Sequence, residues 1–78
     1  MKTLILQDII LNTVRRDKLP ITLICNGNIR FTGTIRGFDN YTVIIDCESE
    51  QIMLYKYNIV AIECTKQILN DYYNKDVE

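Results

Sequence analysis

The hydrophobic pattern changes its period at Pro20, and no other feature of the sequence constrains the fold as strongly. Before Pro20, apolar residues recur every three or four positions, the spacing of an amphipathic helix, with Thr3 as a candidate N-cap. Arg15 and Arg16 lie near the far end, where cations interact favourably with the helix dipole. Because proline disfavours helical backbone at the residue before it, the pattern predicts a helix over residues 3–16 that ends ahead of Pro20.

Short segments rich in β-branched and aromatic residues follow, separated by turn residues. They predict strands over residues 21–25, 29–36, 42–45, 52–55 and 59–64. Asn26-Gly27-Asn28 indicates a hairpin, because Asn and Gly tolerate positive φ. Residues 38–41 are predicted as a turn, and Gly33 lies mid-strand, where glycine marks a bend or a close backbone approach. The fold class is mainly β: an N-terminal α-helix followed by a strongly bent five-stranded antiparallel sheet, a small open barrel.

The length of the chain, 78 residues, fits one small domain. Such a domain buries only about 60% of the surface of its unfolded chain, so it needs a further source of stability. Three Cys without a CxxC pair, and the absence of His, argue against disulfides and zinc, which leaves oligomerisation. The open edges of a five-stranded sheet supply the means, because unpaired edges pair with other chains. We expect one domain over residues 1–64 and a mobile, mildly acidic tail over residues 65–78.

Charge is distributed unevenly along a chain whose net charge is only −1. Residues 1–36 carry six Lys or Arg and two Asp, a net +4, whereas residues 37–78 carry three Lys and eight acidic residues, a net −5. This asymmetry indicates either a local anion-binding surface or ordinary solvated charge, and composition alone leaves both open.

The inventory of reactive residues is thin. There is no His, no nucleophile elbow, no phosphate-binding loop and no set of metal ligands, so we expect no enzyme, no cofactor and no metal site. A small redox protein using its three Cys is a remaining alternative. No apolar run approaches the roughly 20 residues of a membrane span, and the N-terminus lacks a secretory signal, so we expect a soluble, cytoplasmic protein.

Two groups of residues suit nucleic acid. Arg15, Arg16 and Lys18 place three cations at a helix end, where they could contact phosphates. The Tyr55-Lys56-Tyr57 triplet alternates aromatic rings with a cation, as single-stranded RNA requires for stacking and phosphate contact. The alternative is that both tyrosines pack at a subunit joint while Lys56 points to solvent, and the residues alone do not separate the two.

Several short motifs occur together in a fixed order and spacing: Leu6-Gln7-Asp8, Leu11-Asn12, Arg15-Arg16, Pro20, Asn26-Gly27, Gly33, Phe38-Asp39 and Tyr55-Lys56. In these motifs the chain resembles the Hfq family, the bacterial Sm-like RNA-binding proteins, over about residues 4–64. The resemblance implies an Sm-like fold and a hexameric ring in which strand four of one subunit pairs with strand five of the next. It also implies an RNA chaperone that binds single-stranded U-rich RNA and promotes pairing of small regulatory RNAs with mRNAs.

The resemblance implies three RNA-binding surfaces. The proximal surface, for U-rich RNA, would comprise Gln7, Asn40, Tyr41, Lys56 and Tyr57. The rim, which in the family helps strands anneal, would comprise Asn12, Arg15, Arg16, Lys18 and Phe38. The distal surface, for A-rich RNA, would comprise Ile24, Cys25, Asn28, Ile29, Phe31 and Thr32.

Two positions depart from the family pattern. Tyr57 stands where the family usually has His, and Ile24 stands where the first strand usually presents an aromatic ring. The second change removes a stacking platform worth roughly 1–3 kcal/mol per base. Both departures support an alternative function, an Sm-like ring that acts as a protein scaffold with weak RNA binding.

Overall fold

The structure, a computed structural model, describes residues 6–64. The candidate N-cap Thr3 and the predicted tail over residues 65–78 lie outside the described residues. In chain order the elements are α1 (Leu6–Asp17), β1 (Ile21–Cys25), β2 (Ile29–Phe38), β3 (Thr42–Asp46), β4 (Gln51–Tyr55), a 3-10 turn (Lys56–Asn58) and β5 (Ile59–Cys64). The predicted helix is confirmed over its described residues, 6–16, and all five predicted strands are confirmed.

The helix ends in a Schellman motif that the sequence does not predict. The carbonyl of Val14 accepts a hydrogen bond from the Leu19 amide at 3.0 Å, and that of Arg15 accepts one from the Lys18 amide at 3.3 Å. Lys18 takes the left-handed conformation, φ 54°, that the motif requires and that glycine usually supplies. Because a lysine fills the position, no glycine marks the helix end, and the sequence signals it only through Arg15, Arg16 and Pro20.

The sheet has the strand order β4-β3-β2-β1-β5, with every neighbouring pair antiparallel. Gly33 is the residue of β2 at which pairing changes from one neighbour to the other: Gly33 pairs with Ile21 of β1, and Thr34 pairs with Asp46 of β3. A side chain at Gly33 would overlap the Asp46 carbonyl. The close approach predicted for Gly33 is therefore confirmed, and it lies where the two halves of the sheet meet.

A β-bulge at Arg36 extends β2 beyond the predicted strand. Ile35 pairs with Ile45 and Gly37 pairs with Ile44, so Arg36 is an extra residue on its strand. The extra residue resets the alternation of side chains, so that Ile35 is buried and Phe38 also packs against the core. The prediction that Phe38 belongs to a turn is wrong for this reason, and the turn begins after it.

The core lies between α1 and one face of the sheet. It is formed by nine buried apolar residues: Leu11, Val14, Ile21, Leu23, Cys25, Ile35, Val43, Ile45 and Leu54. The hairpin between β1 and β2 turns through Gly27 and Asn28, at φ 81° and 60°, as the Asn-Gly-Asn signal predicts. Within residues 6–64 the sheet stays open, and β4 and β5 are its two edges.

Candidate nucleic-acid interface

Lys56 joins three elements at the end of β4. Its Nζ lies 2.7 Å from Oδ1 of Asp8 in α1, and its backbone amide donates to the Tyr41 carbonyl at 2.7 Å. The ammonium also lies 5.1 Å from the centre of the Phe38 ring, within cation–π distance. Only 11% of the Lys56 side chain is exposed. The alternative in which Lys56 points freely to solvent is therefore wrong, because the cation is paired and nearly covered.

Tyr41 is presented by a turn that Asp39 holds in place. Oδ1 of Asp39 accepts hydrogen bonds from the Tyr41 amide at 2.9 Å and from the Thr42 amide and hydroxyl at 2.7 and 2.8 Å. The bond from the Tyr41 amide, followed by those from Thr42, lowers the pKa of the Asp39 carboxyl below its ordinary value. Tyr41 as a whole residue is 75% exposed. A rigid turn thus displays a bare aromatic ring beside the backbone of Lys56.

Tyr57 is the most exposed of the large apolar side chains that the structure describes, at 83%. Its ring stacks on Tyr55, with centroids 5.7 Å apart and planes 23° from parallel. Gln7 is half-buried next to Asp8 in α1, and Asn40 is exposed next to Tyr41. The fold therefore brings four of the five proximal residues to the two turns beside Lys56, and places Gln7 next to the carboxylate that Lys56 contacts.

The predicted rim divides into residues with different surroundings. Arg16 forms a two-point ion pair with Asp17, at 2.9 and 3.2 Å, so a neighbour in sequence balances its charge. Arg15 donates from Nη2 to the Asn12 side chain at 2.6 Å and forms no ion pair with a described residue. Phe38 is half-buried against the core beneath the Lys56 ammonium. Phe38 therefore supports the proximal surface more directly than it supports the rim.

A groove runs beside the helix end, and we refer to it as the basic groove. Its lining residues come from α1, the turn after it, β2 and β3: Arg15, Lys18, Thr34, Ile35, Arg36 and Asp46. Its volume is about 430 Å³. Arg36 Nε donates to Asp46 Oδ2 at 2.8 Å, and Gln51 donates to Asp46 Oδ1 at 2.7 Å. The bond from Gln51, and then Arg36, lowers the pKa of the Asp46 carboxyl.

The residues predicted for the distal surface do not share one environment. Asn28, Ile29 and Thr32 are exposed, and the Thr32 hydroxyl lies 2.9 Å from that of Thr22. Ile24 is half-buried. The Cys25 side chain is only 1% exposed and lies in the core, so any role for it in binding is confined to its backbone. Phe31 also packs against the core, opposite Leu23 of β1.

Sequence reasoning did not assign a role to three residues that shape these surfaces: Asp8, Asp39 and Arg36. The first two belong to quoted motifs, but nothing in the sequence shows that Asp8 contacts a lysine 48 positions later. The sequence does contain a signal for the bulge at Arg36. Ile35 and Phe38 both face the core although they are three residues apart, whereas side chains on one face of an uninterrupted strand are an even number of residues apart. That pattern requires an extra residue between them.

The three cysteines are free, and burial raises the pKa of each thiol, with Glu50 and Asp46 adding to the effect at Cys47. A raised thiol pKa disfavours the reactive thiolate, which weakens the redox alternative. Within the described part of the chain there is no group of three His, Cys, Asp or Glu placed to hold a metal ion. Across residues 6–64, no helix is long and apolar enough to cross a membrane.

The order of elements and the bent, open sheet define the class: this is the Sm-like fold. A 1.55 Å crystal structure of a protein described as the pleiotropic translational regulator Hfq matches it with a TM-score of 0.72. The match covers 76% of this chain and 98% of that chain at 22% sequence identity. At that identity the match supports the fold alone.

Sequence comparison then identifies the family. The RNA-binding protein Hfq of Clostridium beijerinckii is 45% identical over 64 residues, which cover 82% of this chain and 79% of that protein. The RNA-binding protein Hfq of Clostridium botulinum (strain Eklund 17B / Type B) is 42% identical over 64 residues, covering 82% and 83%. The family model described as Hfq protein matches residues 6–69. The chain belongs to the Hfq family, which confirms the resemblance in the short motifs.

Proposed function

We propose that this protein is an RNA chaperone that binds single-stranded U-rich RNA at its proximal surface and promotes pairing of small regulatory RNAs with mRNAs. The observation that carries the proposal is the exposed Tyr41 ring, held by Asp39 beside Lys56. Unstacked bases bind to such rings, and nearby polar groups read their edges. The names of the relatives, RNA-binding protein Hfq, support the same function.

Lys56 supplies the polar group that suits uracil. An ammonium has three N–H donors, and the Lys56 contact with Asp8 engages one of them. A uracil base presents carbonyl oxygens at its edge, and a nearly covered cation donates to them more strongly than one in bulk water. Tyr57 adds a phenol that can donate a hydrogen bond or stack, in the position where the family usually has His.

The second element of the proposal is a homo-oligomeric ring, six copies by family analogy. β4 and β5 are opposite edges of the described sheet, so strand four of one copy can pair with strand five of the next. Met53 on β4 and Val60 on β5 are 52% and 61% exposed, apolar surface that such pairing would cover. In this assembly the rim cations of each copy form a repeated basic surface, where Arg15, Arg16 and Lys18 reduce repulsion between RNA strands.

The test is binding of fluorescent oligo-U and oligo-A to the full chain at physiological salt, measured by anisotropy, with light scattering for the size of the assembly. Tyr41→Leu removes the ring and should weaken oligo-U binding about fivefold or more, the lower end of the range for removal of a stacking ring. Tyr41→Phe is the matched control, because it keeps the ring, and should bind within about twofold of the wild type.

The same measurement addresses the scaffold alternative, which the Lys56–Asp8 ion pair favours because it neutralises the cation of the proximal surface. A ring that binds neither oligonucleotide would refute the chaperone and leave the scaffold as the remaining candidate. A monomer would contradict both. Oligo-A binding would show that the distal surface works with Ile24 in place of an aromatic residue.

A further inference from the structure

The 3-10 turn before β5 carries two residues of the proximal surface, Lys56 and Tyr57, and it is held at both ends. At its start, the Lys56 amide donates to the Tyr41 carbonyl at 2.7 Å. At its end, Asn58 accepts two hydrogen bonds from Asn26, which lies 32 positions earlier, in the turn between β1 and β2. We propose that Asn26 is a positioning residue of the proximal surface: acting through Asn58, it fixes the turn that presents Tyr57 to RNA.

The contact between Asn26 and Asn58 has two points. The Asn26 backbone amide donates to the Asn58 carbonyl at 3.0 Å, and the Asn26 side-chain amide donates to Oδ1 of Asn58 at 2.7 Å. The first bond continues the pairing of β1 with β5, since Cys25 pairs with Ile59 immediately before it. The second bond joins the two side chains, so a substitution removes it while the backbone bond stays.

A β-bulge in β5 gives this contact its importance. Val60 is an extra residue on β5, because one step along β1, from Ile24 to Cys25, corresponds to two steps along β5. Such an extra residue interrupts the ladder of hydrogen bonds and bends the strand that carries it. Between this interruption and the turn, only the pair formed by Cys25 and Ile59 remains. The two asparagine bonds add to that single pair and fasten the turn to the β1–β2 hairpin.

Tyr57 depends on this contact more than Lys56 does. The Lys56 ammonium is bound by a carboxylate of α1, and its amide by the turn before β3, so two other elements hold that residue. The Tyr57 side chain stacks on Tyr55 and forms no hydrogen bond with a described residue, and Tyr57 is 83% exposed. The position of its ring is therefore set through the backbone, between Lys56 on one side and Asn58 on the other.

A fixed turn favours binding because it lowers the entropic cost. Ordering a side chain or loop when a ligand binds reduces the affinity, and a site that already has its bound geometry avoids that loss. The Asn26 bonds supply this order to Tyr57 before RNA arrives. The inference rests on the proposed function, because it requires that Tyr57 contacts RNA.

The test measures binding of fluorescent oligo-U to variants of the full chain that lack the side-chain bond. Asn26→Ala and Asn58→Ala each remove one partner and keep the backbone bond, and each should weaken binding about threefold, as expected for the loss of one hydrogen bond. The double variant should lose no more than either single variant, because both changes act on one bond. Additive losses would overturn the proposal, and so would an Asn26→Ala variant that binds within about 1.5-fold of the wild type.

Thr22→Val is the matched control. The Thr22 hydroxyl lies 2.9 Å from that of Thr32, so this variant also removes one hydrogen bond between the side chains of neighbouring segments. Thr22 lies outside the proximal surface, so oligo-U binding should stay within about 1.5-fold of the wild type. Thermal unfolding and light scattering check that the variants fold and assemble alike. An equal loss of RNA binding in Thr22→Val and Asn26→Ala would overturn the proposal, since the cause would then be general stability.

The Tyr57 ring supplies a readout that a merely structural role would not change. In a Tyr57→Ala background, Asn26→Ala should change oligo-U binding by less than about 1.5-fold, because the ring that Asn26 positions is gone. A further loss of about threefold in that background would show that Asn26 acts on the whole fold or contacts RNA itself, and would overturn the proposal.

The wild type and Tyr57→Ala separate this inference from the proposed function. If the wild type does not bind oligo-U, the proposed function fails and the inference fails with it. If the wild type binds and Tyr57→Ala binds equally well, only the inference fails. The same holds if Tyr57→Ala weakens binding and Asn26→Ala does not.

Discussion

Lys56 and Asp8 are joined by a 2.7 Å contact between Nζ and Oδ1, although they lie 48 positions apart in the sequence. The contact fastens α1 to the turn between β4 and β5, and it covers a lysine that also rests over the Phe38 ring. The proximal surface is thus built around a cation that the protein has already neutralised. In the function proposed above, RNA bound at Lys56 would contact this ion pair and not a free lysine.

Removing one member of this pair should destabilise the fold more than removing both. Asp8→Ala leaves a nearly covered ammonium without its carboxylate and should lower the free energy of unfolding by about 1–2 kcal/mol. Adding Lys56→Met should recover part of that loss, with a coupling energy of about 1 kcal/mol between the two sites. Urea unfolding of the two single variants and the double variant, at one protein concentration, measures the coupling. Strictly additive effects would mean that the ion pair contributes nothing.

Gly33→Ala should destabilise the protein by about 2 kcal/mol or more, because the new Cβ would overlap the backbone carbonyl of Asp46. Gly37→Ala is the matched control on the same strand, since a Cβ there meets no atom within 4 Å. Its effect should stay within about 0.5 kcal/mol. Thermal unfolding compares the stability of the two variants. Equal losses of stability would show that overlap with the Asp46 carbonyl does not cause the effect of Gly33→Ala.

Lys18→Gly should stabilise the protein by about 0.5–1 kcal/mol, since Lys18 occupies the left-handed position that favours glycine at a helix end. The same change removes one of the three cations of the proposed RNA-binding rim and should weaken RNA binding. A higher melting temperature together with weaker binding is the expected pair of results. A lower melting temperature would mean that the lysine side chain, and not the backbone, decides the stability of this helix end.

Acid should destabilise the turn that presents Tyr41. The pKa of Asp39 is lower in the folded chain than its ordinary value of about 3.9. The stability it contributes is therefore present at neutral pH and is lost as pH falls through the ordinary value towards the lower folded value. Asp39→Asn should be less stable than the wild type at pH 7, and the difference in stability should shrink as pH falls below the ordinary pKa of about 3.9.

Unfolding curves from pH 7 down to about 2.5 measure this convergence. Glu48→Gln removes the same charge from an exposed loop residue that forms no ion pair or hydrogen bond with a described residue, and it should run parallel to the wild type. A constant gap between Asp39→Asn and the wild type at every pH would exclude titration of Asp39 as the cause.

Most of the fold could be predicted from signals within short stretches of the sequence. The change of period at Pro20, the Asn26-Gly27-Asn28 turn and the mid-strand Gly33 each act within a few residues, and each has its predicted consequence in the structure. The bulge at Arg36 is not predictable from simple alternation of apolar and polar residues. Alternation breaks at the extra residue, so the predicted β2 ends at residue 36 and the observed strand continues beyond it. The Schellman motif was missed because Lys18 occupies the usual position of glycine.

The candidate site was less accessible to sequence reasoning because its geometry depends on contacts between distant segments. The family resemblance assigns Tyr41 and Lys56 to one surface, but the burial of Lys56 follows from its contacts with Asp8 and Phe38, which no spacing encodes. The basic groove likewise requires the helix end and the bulged strand to meet. Arg36 is one of the cations that make residues 1–36 positive, but its position in the sequence does not show that it lies near Lys18.

The position of Gly33 has a consequence for assembly. One continuous strand, β2, carries both halves of the sheet, with Gly33 where they meet, so the direction of the β4 edge relative to the β5 edge is decided within each chain. In a ring closed through those edges, the angle from one subunit to the next is therefore preset before any two copies meet. The number of subunits that closes the ring becomes a property of the monomer's curvature.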